Sequence, residues 1–175
     1  MQECRYSYPN DYKSDLRKGS IAYTIVPLKY VTDHATNTTR QLPSVVDHFN
    51  STANGNLTRG DIINLIKKEI YLAGPVTMSF AVTEEFTYYS SGVFHPYPVE
   101  PVESMEKRHI YDHVVRVIGW GYDEGVKAGG FGDGTYWLAV NSCGEFCGDK
   151  GLFKIDTTLL EKHIDFEYGF SAALV

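Results

Sequence analysis

The sequence predicts an α+β domain in which antiparallel strands outnumber one well-marked helix. Three observations carry this. Asp61 to Ala73 (DIINLIKKEIYLA) places isoleucines at 62, 63, 66 and 70, the spacing of one helical face, with Lys67, Lys68 and Glu69 off that stripe. Pro75 to Thr83 (PVTMSFAVT) alternates with the period of two that a strand requires. Three further apolar runs, Ile110 to Trp120, Tyr136 to Val140 and Leu152 to Ile155, are rich in β-branched and aromatic residues and read as strands.

The helix is expected to begin at Asp61, whose carboxylate suits the positive end of the helix dipole, and to end at Gly74-Pro75. Ahead of it, Ser20 to Val31 (SIAYTIVPLKYV) reads as a strand interrupted by Pro27. Residues 32–60 are rich in Thr, Asn, Ser and Gly and read as an exposed loop. Behind the helix, Glu84 to Ser91 reads as a short helical turn carrying Phe86, Tyr88 and Tyr89, followed by a proline-rich excursion from Pro96 to Pro101. Gly121 to Gly134 reads as a hairpin loop, Thr157 to His163 as a helical turn, and Tyr168 to Leu174 as a closing strand. The chain thus divides into a polar, loop-rich segment, 1–60, and a packed domain, 61–175.

At 175 residues, with 43% hydrophobic and 22% charged residues, the chain has material for one core and no signature of disorder. A net charge of −6 without a basic block argues against nucleic acid as a partner. No apolar run reaches membrane-spanning length. Three N-x-Ser/Thr triplets, at Asn37, Asn50 and Asn56, lie in the polar segment and predict a glycoprotein of the secretory pathway. Met1-Gln-Glu-Cys-Arg lacks the apolar stretch of a leader, so the expectation is that residues upstream of Met1 are missing. Of the three cysteines, Cys4, Cys143 and Cys147, at least one has no partner within the chain.

Two polar residues stand out against apolar strands. His113 lies inside IYDHVVRVIGWG, and Asn141 ends TYWLAVN. A lone histidine on an apolar strand is more often structural, and an asparagine at a strand end more often caps a turn. Together they form the base and the ring-orienting amide of a thiol-protease site.

The ordered segments resemble the papain-like cysteine proteases, and within them the cathepsin B-like branch. EIYLAGPVTMSFAV is similar to that family's helix–Gly-Pro-Val–strand passage. Glu85-Phe86 with Tyr89-x-x-Gly-Val-Phe resembles another of its segments. His113-x-x-Arg-x-Ile-Gly-Trp-Gly resembles its histidine motif, and Tyr136 to Ser142 with Gly144, Gly148, Gly151 and Phe153 its asparagine motif. The Tyr12-Lys13-Ser14-Asp15 stretch, with Tyr23 and Val26, is also similar.

The resemblance implies the carboxy-terminal, β-barrel-like antiparallel half of a two-domain peptidase, acting on peptides or proteins without a cofactor or metal. It implies that His113 is the general acid/base, that Asn141 holds its ring, and that Glu167 lies at the base of a pocket for basic side chains. A solvated surface carboxylate is the plain alternative for Glu167. The family's nucleophile sits in a Q-x-x-x-C-G-x-C-W pattern that this sequence does not contain. The chain alone is therefore expected to be inactive, and its implied partner is an amino-terminal half bearing the cysteine. Lysosomal or extracellular location follows if a signal peptide precedes it.

Departures from the family matter too. Asp112 stands where the family usually has glycine; its strand position should point it away from the imidazole. Cys143 and Cys147 replace two tryptophans, the first of which shields the His–Asn hydrogen bond. Such a bond contributes about 0.5–1.5 kcal/mol net, so its exposure should weaken the site rather than abolish it. Three readings of the cysteine pair are open: a short disulfide, two free thiols, or metal ligands with His113. The double replacement also motivates a rival from another class, a non-catalytic homologue acting as a secreted binding glycoprotein.

Overall fold

A seven-stranded sheet organises the chain in the computed structural model, which describes residues 19–26, 31–33, 38–40, 44–46, 48, 57–95, 109–128, 132–157 and 169–174. In chain order its elements are β1 (Ile21–Val26), β2 (Val31–Asp33), β3 (Thr38–Arg40), α1 (Arg59–Ala73), β4 (Val76–Thr83), α2 (Glu84–Thr87), β5 (Val93–Phe94), β6 (His109–Tyr122), α3 (Glu124–Ala128), β7 (Thr135–Val140), β8 (Leu152–Asp156) and β9 (Gly169–Leu174). A 3₁₀ turn, Gly144–Phe146, lies between β7 and β8. The sheet runs β1-β9-β4-β6-β7-β8-β5, antiparallel except for the β5–β8 pair.

Alternation sets the core. Val76, Met78, Phe80 and Val82 on β4, Val115 and Val117 on β6, Trp137 and Ala139 on β7, and Phe153 and Ile155 on β8 are all buried. They occupy every second position of their strands, as a one-faced sheet demands. Ile63, Ile66 and Ile70 of α1 join the same cluster, and Ile62 packs against it half-buried. Each fully buried isoleucine contributes roughly 1.5–3 kcal/mol, so the helix is held chiefly by this face. Across the helix, the Lys67 ammonium lies 5.9 Å from the Trp120 ring centroid.

The helix starts earlier than its isoleucine stripe. Thr58 is the N-cap: its hydroxyl accepts from the Asp61 amide at 3.3 Å, and the Asp61 carboxylate accepts from the Thr58 amide at 2.9 Å. Asp61 is thus the far half of a capping box rather than the first residue. The Asp61 carboxylate also accepts from the Thr58 hydroxyl at 2.6 Å, and the two bonds it accepts from Thr58, side chain first, lower its pKa against the opposing effect of desolvation. Gly74 ends the helix, its amide donating to the Ile70 carbonyl at 3.2 Å.

Several expectations change here. Residues 32–60 are not a bare loop: β2 and β3 pair there, and buried Ser44 bridges Thr24. Threonines at 32, 38 and 39 favour pairing even where no apolar period announces it. The glycine-rich link after β6 contains α3, begun where the Gly125 amide donates to the Asp123 carboxylate at 2.9 Å. β5 has two residues, too few to show a period in the sequence. His95, which follows it, meets the buried carboxylate of Asp156 at 2.9 Å.

Candidate active site

His113 continues the inward row of Val115 and Val117 on β6 to the place where the core opens into a cleft. β6 lies between β4 and β7, so both its edges are hydrogen-bonded. Phe80, its neighbour across the β4 ladder, sets its ring at 5.9 Å and 70° to the imidazole. Phe86, in α2, lies 6.5 Å from the imidazole and 5.3 Å edge-on from Phe80. Phe153 closes this bed, 5.0 Å from Phe86. The aromatic floor leaves the ring few orientations.

Asn141 follows β7 directly, and its side chain reaches back to β6. Its Oδ1 lies 2.8 Å from His113 Nε2. The same oxygen accepts from the Ser142 amide, also at 2.8 Å. A main-chain N–H only donates, so this contact identifies the atom as the carbonyl oxygen of the amide. Nε2 must then carry the proton it donates. In the neutral ring, Nδ1 therefore holds the lone pair. The hydrogen bond to Asn141 thus fixes which nitrogen of the neutral ring can accept a proton.

A strap from Ser142 to Gly151 forms the adjoining wall. The Asn141 amide donates to the Gly151 carbonyl at 2.9 Å, and Gly151 donates to Cys147 at 2.8 Å. Asp149 and Leu152 exchange two backbone bonds across Lys150 and Gly151, whose φ values of 53° and 86° fit a type I′ hairpin turn. Gly148 is obligatory: at φ 59°, a Cβ would stand 2.7 Å from the Leu152 carbonyl and 3.2 Å from the Tyr89 ring. Cys143 and Cys147 are joined by a disulfide across the strap, with Cα atoms 6.0 Å apart. That decides among the three readings, because bonded sulfurs are neither free thiols nor metal ligands.

The cleft holds about 430 Å³ and is shared by His113, Asn141, the strap, and Phe86 to Tyr89 of the opposite wall. Tyr89 is fixed there, its hydroxyl donating to the Gly92 carbonyl at 2.7 Å and accepting from the Lys154 amide at 3.2 Å. Burial raises its phenol pKa. Asp112 is exposed while His113 faces inward, as the strand alternation predicted. Among the described residues no three His, Cys, Asp or Glu side chains gather as a metal site.

The structure therefore brings His113 and Asn141 together. Glu167, Cys4 and the sequon residues Asn37, Asn50 and Asn56 lie outside the described residues. Two contributors went unread in the sequence. Phe80 carried the signal of an alternating strand, but not of a floor for the imidazole. The Ser142 amide carried none, since any residue but proline supplies it.

The chain matches the model of the papain family cysteine proteases over residues 4–168. It is 31% identical over 153 residues to cathepsin B-like cysteine proteinase 3 of Caenorhabditis elegans, a match covering 87% of this chain and 28% of the relative. It is 32% identical over 100 residues to the human (Homo sapiens) tubulointerstitial nephritis antigen, covering 57% of this chain and 20% of that protein. Among solved structures it is similar to a digestive procathepsin L2 proteinase from Tenebrio molitor larval midgut, with a TM-score of 0.47 and 26% identity, covering 64% of this chain and 30% of that one. The chain thus spans well under half the length of these relatives. No helix among the described residues is long and apolar enough to cross a membrane.

Proposed function

The chain belongs to the papain family of cysteine proteases, and from that premise we propose that it supplies the histidine–asparagine part of a cathepsin B-like site for hydrolysing peptides or proteins. The observation that carries the reading is the 2.8 Å bond from His113 to Asn141, made inside an aromatic-walled cleft. His113 Nδ1 takes the proton of a cysteine thiol supplied from outside this chain, by an amino-terminal half of the protein. The thiolate attacks the scissile carbonyl, and the imidazolium returns its proton to the leaving amine. His113 then accepts a proton from the water that cleaves the thioester. Asn141 keeps the ring turned toward the thiol throughout, because Nε2–H stays engaged with its amide oxygen.

On this reading residues 61–175 are the papain-like carboxy-terminal domain, which carries the histidine and asparagine but not the nucleophile. Glu167 receives basic substrate side chains, and Asn37, Asn50 and Asn56 carry glycans in a lysosomal or extracellular setting. A second reading rests on a different observation, the disulfide where the family has two tryptophans. It makes the chain part of a non-catalytic homologue that binds peptides. One relative, indeed, bears the name of an antigen rather than of a proteinase.

The two readings separate in one experiment. The protein carrying this chain together with its upstream part is treated with a thiol-directed epoxide and assayed on a fluorogenic peptide. We expect labelling upstream of this chain, and a fall in kcat/KM on the order of a thousandfold for His113→Ala. Peptide hydrolysis undiminished by His113→Ala would sink the assignment. So would labelling at Cys143 or Cys147 accompanied by activity. No labelling and no hydrolysis would favour the binding homologue.

A further inference from the structure

The strap is held at its base and at its tip by different means. At the base, Asn141, Cys147, Asp149, Gly151 and Leu152 share four backbone hydrogen bonds of 2.8–3.0 Å. At the tip, the short 3₁₀ turn Gly144–Phe146 is closed by a long backbone bond from the Cys147 amide to the Gly144 carbonyl at 3.4 Å, and its flanks are joined by the disulfide. The tip projects: Phe146 is 100% exposed, and Cys143 is exposed as well. Both cysteines and Phe146 line the cleft that holds His113. None of the three belongs to the buried core cluster.

We propose that Cys143–Cys147 is a reversible redox latch on the wall of the cleft, opened by thiol reductants while the fold and the His113–Asn141 bond stay intact. Three features separate it from a structural cross-link. Its bridged loop is short, so it removes little chain entropy and the fold depends on it little. The base is tied independently. Its Cys143 end is open to an attacking thiolate, and exposed disulfides are the labile ones.

The chemistry balances with a dithiol as co-reactant. One reductant thiolate attacks the Cys143 sulfur, the S–S bond breaks, and Cys147 leaves as a thiolate that takes up a proton. The second reductant thiol then displaces Cys143 from the mixed disulfide. The protein gains two electrons and two protons, and the reductant becomes a disulfide. With the latch open the Gly144–Phe146 turn is left with its local 3₁₀ hydrogen bonding, and the Phe146 side of the wall loses its fixed position. That this changes how a peptide is held rests on the proposed peptidase reading; the latch itself does not.

The test exposes the protein carrying this chain to a graded series of reduced and oxidised dithiothreitol without denaturant. Alkylation and mass mapping follow the cysteine pair, and amide hydrogen exchange follows the strap. The expected result is reduction of this pair in the native protein. Exchange should quicken at least tenfold at Phe146 and Cys147, with Asn141 and Gly151 unchanged. The double variant Cys143→Ser/Cys147→Ser should show the fast exchange at every ratio. A pair that resists reduction until the protein unfolds overturns the proposal, as does reduction without faster exchange at the tip. In parallel, the KM of the natural protein should differ severalfold from that of the double variant at oxidising ratios and converge on it at reducing ones. Equal KM values throughout overturn the effect on the cleft. Absence of hydrolysis in every form, with the exchange change present, overturns the peptidase reading and leaves the latch standing.

Discussion

His113 and Asn141 share one hydrogen bond, yet the two regions that supply them are built on different physics. The histidine stands on a central strand over buried aromatic rings, where position is fixed by packing. The asparagine opens an exposed strap, where position is fixed by main-chain hydrogen bonds and a disulfide. Packing couples a residue to the whole core, whereas turn hydrogen bonds couple it only to its own segment. Damage to the first region should therefore register as lost stability, and damage to the second as lost function in a protein that still folds.

The largest effect to look for is at the floor. Phe80→Ala removes a fully buried ring from beneath the imidazole, and large-to-small changes of this kind cost about 3–5 kcal/mol. Chemical denaturation should show the loss as a lower midpoint with an unchanged slope. A variant that kept its stability but lost ring orientation would erase the distinction between the two regions. Asn141→Ala should do the reverse. We expect kcat/KM to fall by about 10–100-fold, with folding stability changed by less than about 1.5 kcal/mol. The main-chain bonds of the strap survive that substitution, and a collapse of stability would show that the strap is not independent.

The smallest effect comes from a site remote from both regions. Thr58→Ala removes one half of the capping box and should cost about 1 kcal/mol. It also carries a pH signature. Asp61 has a lowered pKa in the folded chain, so its contribution is complete above the ordinary carboxyl value of 3.8 and is lost as pH falls through the lower folded value. Thermal melts taken between about pH 5 and about pH 2 should show the natural chain losing more than the variant. Parallel curves would remove the capping box from the account.

What could be read in advance follows the same division. His113 stood out in an apolar strand and took its meaning from the motif behind it, while α1 and β4 were legible because their periods are long enough to count. The floor was half legible: Phe80 announced a strand, while its place beneath His113 depends on the β4–β6 register. The proximity of Asn141 to His113 entered through the motif rather than through any spacing rule, since 28 residues of chain and a short helix separate them. The disulfide was one of three readings until the strap brought both cysteines to its two sides. β2, β3 and β5 are too short for periodicity, and β5 depends on a parallel partner, β8, about 60 residues later.

The amide of Ser142 has a last consequence. Because the atom that settles which imidazole nitrogen bears the proton belongs to the main chain, the choice is insulated from mutational drift at that position. Nearly any side chain can come and go at 142, and the address of the proton stays the same; only proline would erase it.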